Sequence, residues 1–112
     1  VRDSVGLEHD ADGYYQMAVQ AGLEPERRGQ ALIQWASTLR NLGRPERAIE
    51  LLAQVDDPSM GDAPRAFLAL SLSDAGRDRE ALRVALEALA PHLPRYQRAV
   101  NAYARLLTEP DE

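Results

Sequence analysis

The chain has 112 residues, 45% hydrophobic and 28% charged, with a formal net charge of −5 and no cysteine. That is room for one domain of ordinary globular composition, too apolar for a disordered chain. The acidic balance argues against a general affinity for nucleic acid or anionic membrane, and the absence of thiols excludes disulfides and cysteine-based metal sites.

All thirteen basic residues are arginine. Arginine suits bidentate contact with carboxylates, but solvated charge on helix faces is the simpler reading. A cysteine-free chain fits a reducing, cytoplasmic setting. The longest largely apolar stretch, Ala66 to Leu72, is far short of a bilayer span, and nothing at the start reads as a signal peptide. The sequence begins at Val1 and enters a glycine pattern almost at once, so a fragment or a mature chain lacking part of its first helix is expected.

In chain order, residues 1–23 read as the second half of a repeat. Gly6 stands at a turn, and Ala11, Tyr14, Tyr15, Ala18 and Val19 follow helical spacing up to a left-handed cap at Gly22. Glu24-Pro25-Glu26 opens a second helix, whose apolar stripe is Leu32, Trp35, Ala36, Leu39 and Leu42. Gly43 closes it. Pro45 opens a third helix that buries Ala48, Ile49, Leu51, Leu52 and Val55. Residues 56–62 form a loop by composition, with Asp62 as the cap of a helix over 63–75. Gly76 ends that helix and Asp78 caps the next, which carries Ala81, Leu82, Ala85, Leu86, Ala88 and Leu89 before Pro91 and Pro94 stop it. A last helix over 95–107 places Tyr96, Val100, Tyr103 and Leu107 on one face, and a polar, frayed tail follows.

Much of the stretch from Leu32 to Leu52 returns thirty-three residues later: Ala36, Leu39, Gly43, Arg44 and Ala48 are met by Ala69, Leu72, Gly76, Arg77 and Ala81. A fixed period of that length, with helical spacing on both sides of a glycine, marks a helix-hairpin repeat. Two helices joined by so short a turn lie antiparallel, and neighbouring hairpins must stack to cover their remaining apolar surface. Small residues at Ala36, Ala69, Ala48 and Ala81 let backbones approach. Trp35, Leu39, Leu68 and Leu72 fill the space beside them, each contributing about 1.5–3 kcal/mol when buried.

On these residues the chain resembles a tetratricopeptide repeat protein. The pattern's glycine falls at Gly43 and Gly76 and its paired alanine at Ala48 and Ala81, and a partial first unit matches at Gly6, Ala11, Tyr15 and Ala18. It is similar to a compact bacterial group of such proteins with no assigned activity. The pattern's early aromatic is replaced by Leu32 and Arg65, its late large residue by Ala85, and its closing proline is displaced to Pro58 and Pro91. The resemblance implies an all-α, right-handed superhelix: one domain over 1–112, made of a half repeat (1–23), repeats at 24–57 and 62–90, and a closing helix at 93–107.

The resemblance also implies a ligand face on the concave side, lined by the first helix of each unit. Carried over by position, that face offers Gln30, Ile33, Gln34, Ser37, Arg40 and Asn41, then Ala63, Ala66, Phe67, Leu70, Ser73 and Asp74. A protein or peptide segment with a carboxylate near Arg40 and an apolar side chain near Phe67 is the expected partner. The carboxylate clamp of chaperone-binding relatives is not expected, since lysine is absent and Gln34 stands where an asparagine belongs. Phe67 and Leu70 have an equally weighted alternative as core, covered by the closing helix or by a neighbouring chain. A structural role in self-association, as a homodimer or docked on another domain, is the second function.

Chemistry has little foothold. His9 with Glu8, Asp10 and Asp12 reads as helix-start acids, since His9 does not share the face of Glu8 and Asp12. Asp56, Asp57 and Asp62 lack the alternation of a calcium loop. His92, between two prolines, reads as a hinge, and Ser37, Ser59, Ser71 and Ser73 have no histidine at a telling spacing. No catalytic residue, metal or cofactor is expected.

Overall fold

Prolines stand first in two helices of this chain, and left-handed glycines follow three. The computed structural model describes residues 2–110, with 2–8 and Glu26 described by backbone alone. Six α-helices follow in order: α1 Arg2–Gln20, α2 Pro25–Asn41, α3 Pro45–Leu52, α4 Ala63–Asp74, α5 Asp78–Leu89 and α6 Gln97–Leu106. Single 3₁₀ turns lie at Pro58–Met60 and Ala90–His92, and no strand occurs among the described residues. Pro25 and Pro45 stand first in α2 and α3, where a missing N–H leaves no bond unmade.

The turns after α2 and α4 are copies of one another. Gly43 and Gly76 both sit at φ 80°, a left-handed conformation that only glycine enters without a steric penalty. Around the first, Gly43 N–H donates to the Arg40 carbonyl at 3.0 Å and Arg44 N–H to the Leu39 carbonyl at 2.8 Å. Around the second, Gly76 donates to Ser73 at 3.0 Å and Arg77 to Leu72 at 2.8 Å. This paired bonding satisfies carbonyls that a helix end would otherwise leave open.

The helices stack in sequence, α2 packing against α1, α3 and α4, and α4 against α3 and α5, while α6 lies on α5. The molecule is accordingly elongated, 44 × 29 × 26 Å. Its radius of gyration is 15.7 Å, against about 13 Å for a compact domain of this length. The chain is a helical-repeat solenoid.

The core is off-centre. Leu32, Ile33, Trp35, Ala36 and Leu39 of α2 and Ala48, Leu51 and Leu52 of α3 form one buried cluster, against which Tyr15, Val19, Phe67 and Leu68 pack from the neighbouring helices. Beyond α4 the buried side chains are small: Ala81, Ala90 and Ala104. Ile49 and Val55, expected in the core, are half-buried at its edge.

Several local expectations are corrected. The turn at Gly6 is absent, because α1 runs unbroken through it from Arg2. Asp62 precedes α4 without capping it; its carboxylate instead meets His92 Nε2 at 2.7 Å, which makes His92 a tether and not a hinge. Asp78 is the first residue of α5 and accepts from the Ser73 hydroxyl at 2.9 Å, with Arg77 in the cap position. The last helix starts at Gln97 and not at 95, because Tyr96 at φ 72° stands outside it. Its inner stripe is Val100, Ala104 and Leu107, whereas Tyr96 and Tyr103 face out. The far end of α6 is tied down by Arg79 Nε, donating to the Leu107 carbonyl at 2.8 Å, and by Arg83, donating to the Thr108 hydroxyl.

Candidate functional site

The residues that sequence places on one concave face divide among four surroundings. Ile33 belongs to the buried cluster, and Ala63 and Phe67 are half-buried against it. Gln30 and Gln34 border a shallow cleft of about 440 Å³ between α1 and α2, with Tyr14, Tyr15, Ala18, Leu23 and Arg27 as the other lining. There the Tyr15 hydroxyl donates to Gln34 Oε1 at 2.8 Å. Arg40 ion-pairs through Nε with Asp74, locking α2 to α4. Asn41 is exposed and Ser37 half-buried.

Arg40 is thus engaged through Nε with an aspartate of its own chain, and both groups are partly shielded. Phe67 is half-buried and packs against the core cluster.

Leu70 and Ser73, by contrast, open onto a broad groove between α4 and α5. Its walls are Ala66, Ala69, Leu70 and Ser73 on one side and Asp78, Ala81, Leu82 and Ala85 on the other, enclosing about 760 Å³. Apart from Ser73 and Asp78 the lining is apolar. Leu70 is 45% and Leu82 49% exposed, unusual for large apolar side chains facing a shared concavity. Sequence reasoning missed the α5 wall because it carried over only the first helix of each unit. The signal was nevertheless present: thirty-three residues earlier these positions are Ile33, Ala36, Ser37, Arg40, Pro45, Ala48, Ile49 and Leu52, on α2 and α3, the two helices that α4 packs against.

Electrostatic features lie mainly at the turns. Arg77 Nη2 holds Glu80 at 2.7 Å and Nη1 reaches Glu46 of α3 at 3.5 Å. The hydrogen bond to Glu80 raises the Arg77 pKa and lowers that of the carboxylate. Arg44, one turn earlier, reaches Asp12 of α1 at 3.7 Å, and Trp35 Nε1 donates to the same carboxylate. Asp12 is thus engaged in structure. Ser59 and Ser71 hydroxyls donate to Asp57 Oδ1 and the Phe67 carbonyl, at 2.8 and 2.9 Å. Among the described residues no cluster of histidine, aspartate and glutamate is arranged to hold a metal ion, and no helix is long and apolar enough to cross a membrane.

A family model described as tetratricopeptide repeat matches residues 1–107, nearly the whole chain. This chain belongs to that family. Comparison with curated proteins and with solved structures returned no significant match. Tetratricopeptide repeats generally mediate protein–protein interaction.

Proposed function

We propose that this chain is a non-enzymatic scaffold that holds an apolar-faced helical segment of a protein partner in the α4–α5 groove. The observation that carries the reading is internal to the molecule. The equivalent surface of α2 and α3 is covered by α4, which brings Phe67 and Leu68 onto the cluster containing Ala36 and Ala48. On α4 and α5 Ala66, Leu70, Leu82 and Ala85 stand exposed, with half-buried Ala69 and buried Ala81 between them, small residues that leave room for a helix to approach. The division of the chain at 24–57 and 62–90, with 1–23 before and 93–107 after, belongs to the same reading, as does a cytoplasmic setting.

The Gln30–Gln34 cleft, with Ser37 and Asn41 near it on α2, would supply polar contacts to a partner that extends past Arg40. A photoreactive side chain introduced at Leu70, in cells that make the protein, tests the groove. Adducts to a protein partner are expected, and Leu82→Asp in the same chain should abolish them. Adducts of undiminished intensity in the double variant would overturn the reading.

A further inference from the structure

The outer face of α6 is as unpartnered as the groove. Ala99, Tyr103 and Leu106 are spaced as a single helical stripe, with Tyr96 just before the helix, and all four are exposed, Tyr103 at 70% and Leu106 at 58%. The half-buried and buried side chains at Val100, Ala104 and Leu107 lie about a quarter-turn round the helix from that stripe. Large side chains therefore project from α6, while the α4–α5 groove offers alanines and open volume.

Charge separates the two surfaces in the same sense as size. From Arg95 to Leu107 the charged residues are Arg95, Arg98 and Arg105, with no acid among them. The charged residue lining the groove is Asp78, with no basic residue in the wall; Asp74, nearby on α4, is paired with Arg40. Opposite potentials of this kind favour one pairing and disfavour helices of acidic character. Length agrees as well: α6 has 10 residues and α4 and α5 have 12 each, so a helix of roughly 15 Å would lie within a groove of roughly 18 Å.

We infer that the groove's occupant is α6 of a second copy of this chain, the two copies exchanging helix-in-groove contacts about a two-fold axis. Each copy then covers both of its open apolar surfaces at once, as an isologous interface requires. The inference rests on the groove reading above and names the partner.

Light scattering over a concentration series tests it on the chain as it stands. The mass should rise from 12.4 kDa toward twice that value. Tyr103→Asp on α6 and Leu82→Asp in the groove should each remain at the single-chain mass, with helix content unchanged by circular dichroism because both side chains are already largely exposed. Leu106→Asp and Leu70→Asp stand in for either variant that fails to fold. The deciding arm mixes the α6 variant with the groove variant: one of the two reciprocal contacts is then intact, and a mixed dimer should return, weaker than the wild type. A wild-type chain that stays single at every concentration would overturn the inference, as would a dimer that survives Tyr103→Asp or a mixture that stays single. None of these results touches the crosslinking from Leu70, so the groove reading would stand or fall separately.

Discussion

Leu39 and Leu72 occupy the same place in two successive turns, each accepting at its carbonyl from the N–H of the arginine after the glycine, and both are almost fully buried. Truncating each to alanine asks how much the surroundings matter at fixed chemistry. Removing the outer part of a leucine forfeits about 2–2.5 kcal/mol in transfer free energy, at about 0.8 kcal/mol per carbon group. At Leu39 the neighbours are Leu32, Trp35, Ala36, Leu51 and Leu52, a cluster buried throughout. Such walls cannot collapse onto the void, so the cavity adds to the cost and Leu39→Ala should lose about 3–5 kcal/mol. Leu72 has small buried neighbours in Ser71 and Ala81 and lies nearer the open groove, so relaxation and water should hold Leu72→Ala to about 2–3 kcal/mol. Urea unfolding gives both values, followed by far-UV circular dichroism for all helices and by Trp35, the one tryptophan, for the α2–α3 core. Equal losses, or a larger loss at Leu72, would refute the claim that the core is concentrated in α2 and α3.

Gly13 lies inside α1 with open space where a Cβ would go, so Gly13→Ala should stabilise the chain by about 0.5–1 kcal/mol in thermal unfolding. Gly43→Ala also meets nothing, yet its φ of 80° makes the backbone itself the obstacle, and a loss of about 1–2 kcal/mol is expected. Trp35→Phe removes the donor to Asp12 and leaves a partly shielded carboxylate without it, costing about 1.5–3 kcal/mol; an unchanged melting temperature would show the bond to be idle. The Glu80 carboxyl has its pKa lowered by the hydrogen bond from Arg77, so what it contributes is present above the ordinary carboxylate range and is lost as pH falls through the depressed value. The difference in melting temperature between wild type and Glu80→Gln should accordingly close on strong acidification, and a difference independent of pH would contradict the pairing.

The helices and their turns were legible because they depend on residues that act locally. Pro25 and Pro45 fix a starting backbone, and Gly43 and Gly76 admit a conformation denied to other residues, wherever the rest of the chain lies. Gly6 shows the limit of that reasoning, since a glycine permits a turn without demanding one, and α1 continues through it. Asp62 and Asp78 were read as caps by position, but a carboxylate beside a helix start also competes for distant donors, and His92 and Ser73 won.

The candidate surface was less legible, for a geometric reason. Spacing tells which side chains share a face of one helix, not which faces of two helices meet. Arg40 looked available until Asp74, thirty-four residues on, was brought beside it. Leu82 and Ala85 looked like ordinary helix interior until α6 was found leaning on the opposite side of α5.

The arginines that follow the two hairpin glycines both reach backward, Arg44 to Asp12 of α1 and Arg77 to Glu46 of α3. Mechanical linkage along the solenoid therefore has a polarity. Each hairpin corner leans, through a partly exposed ion pair, on a helix before it, while the end of the chain is held from α5 by Arg79 and Arg83.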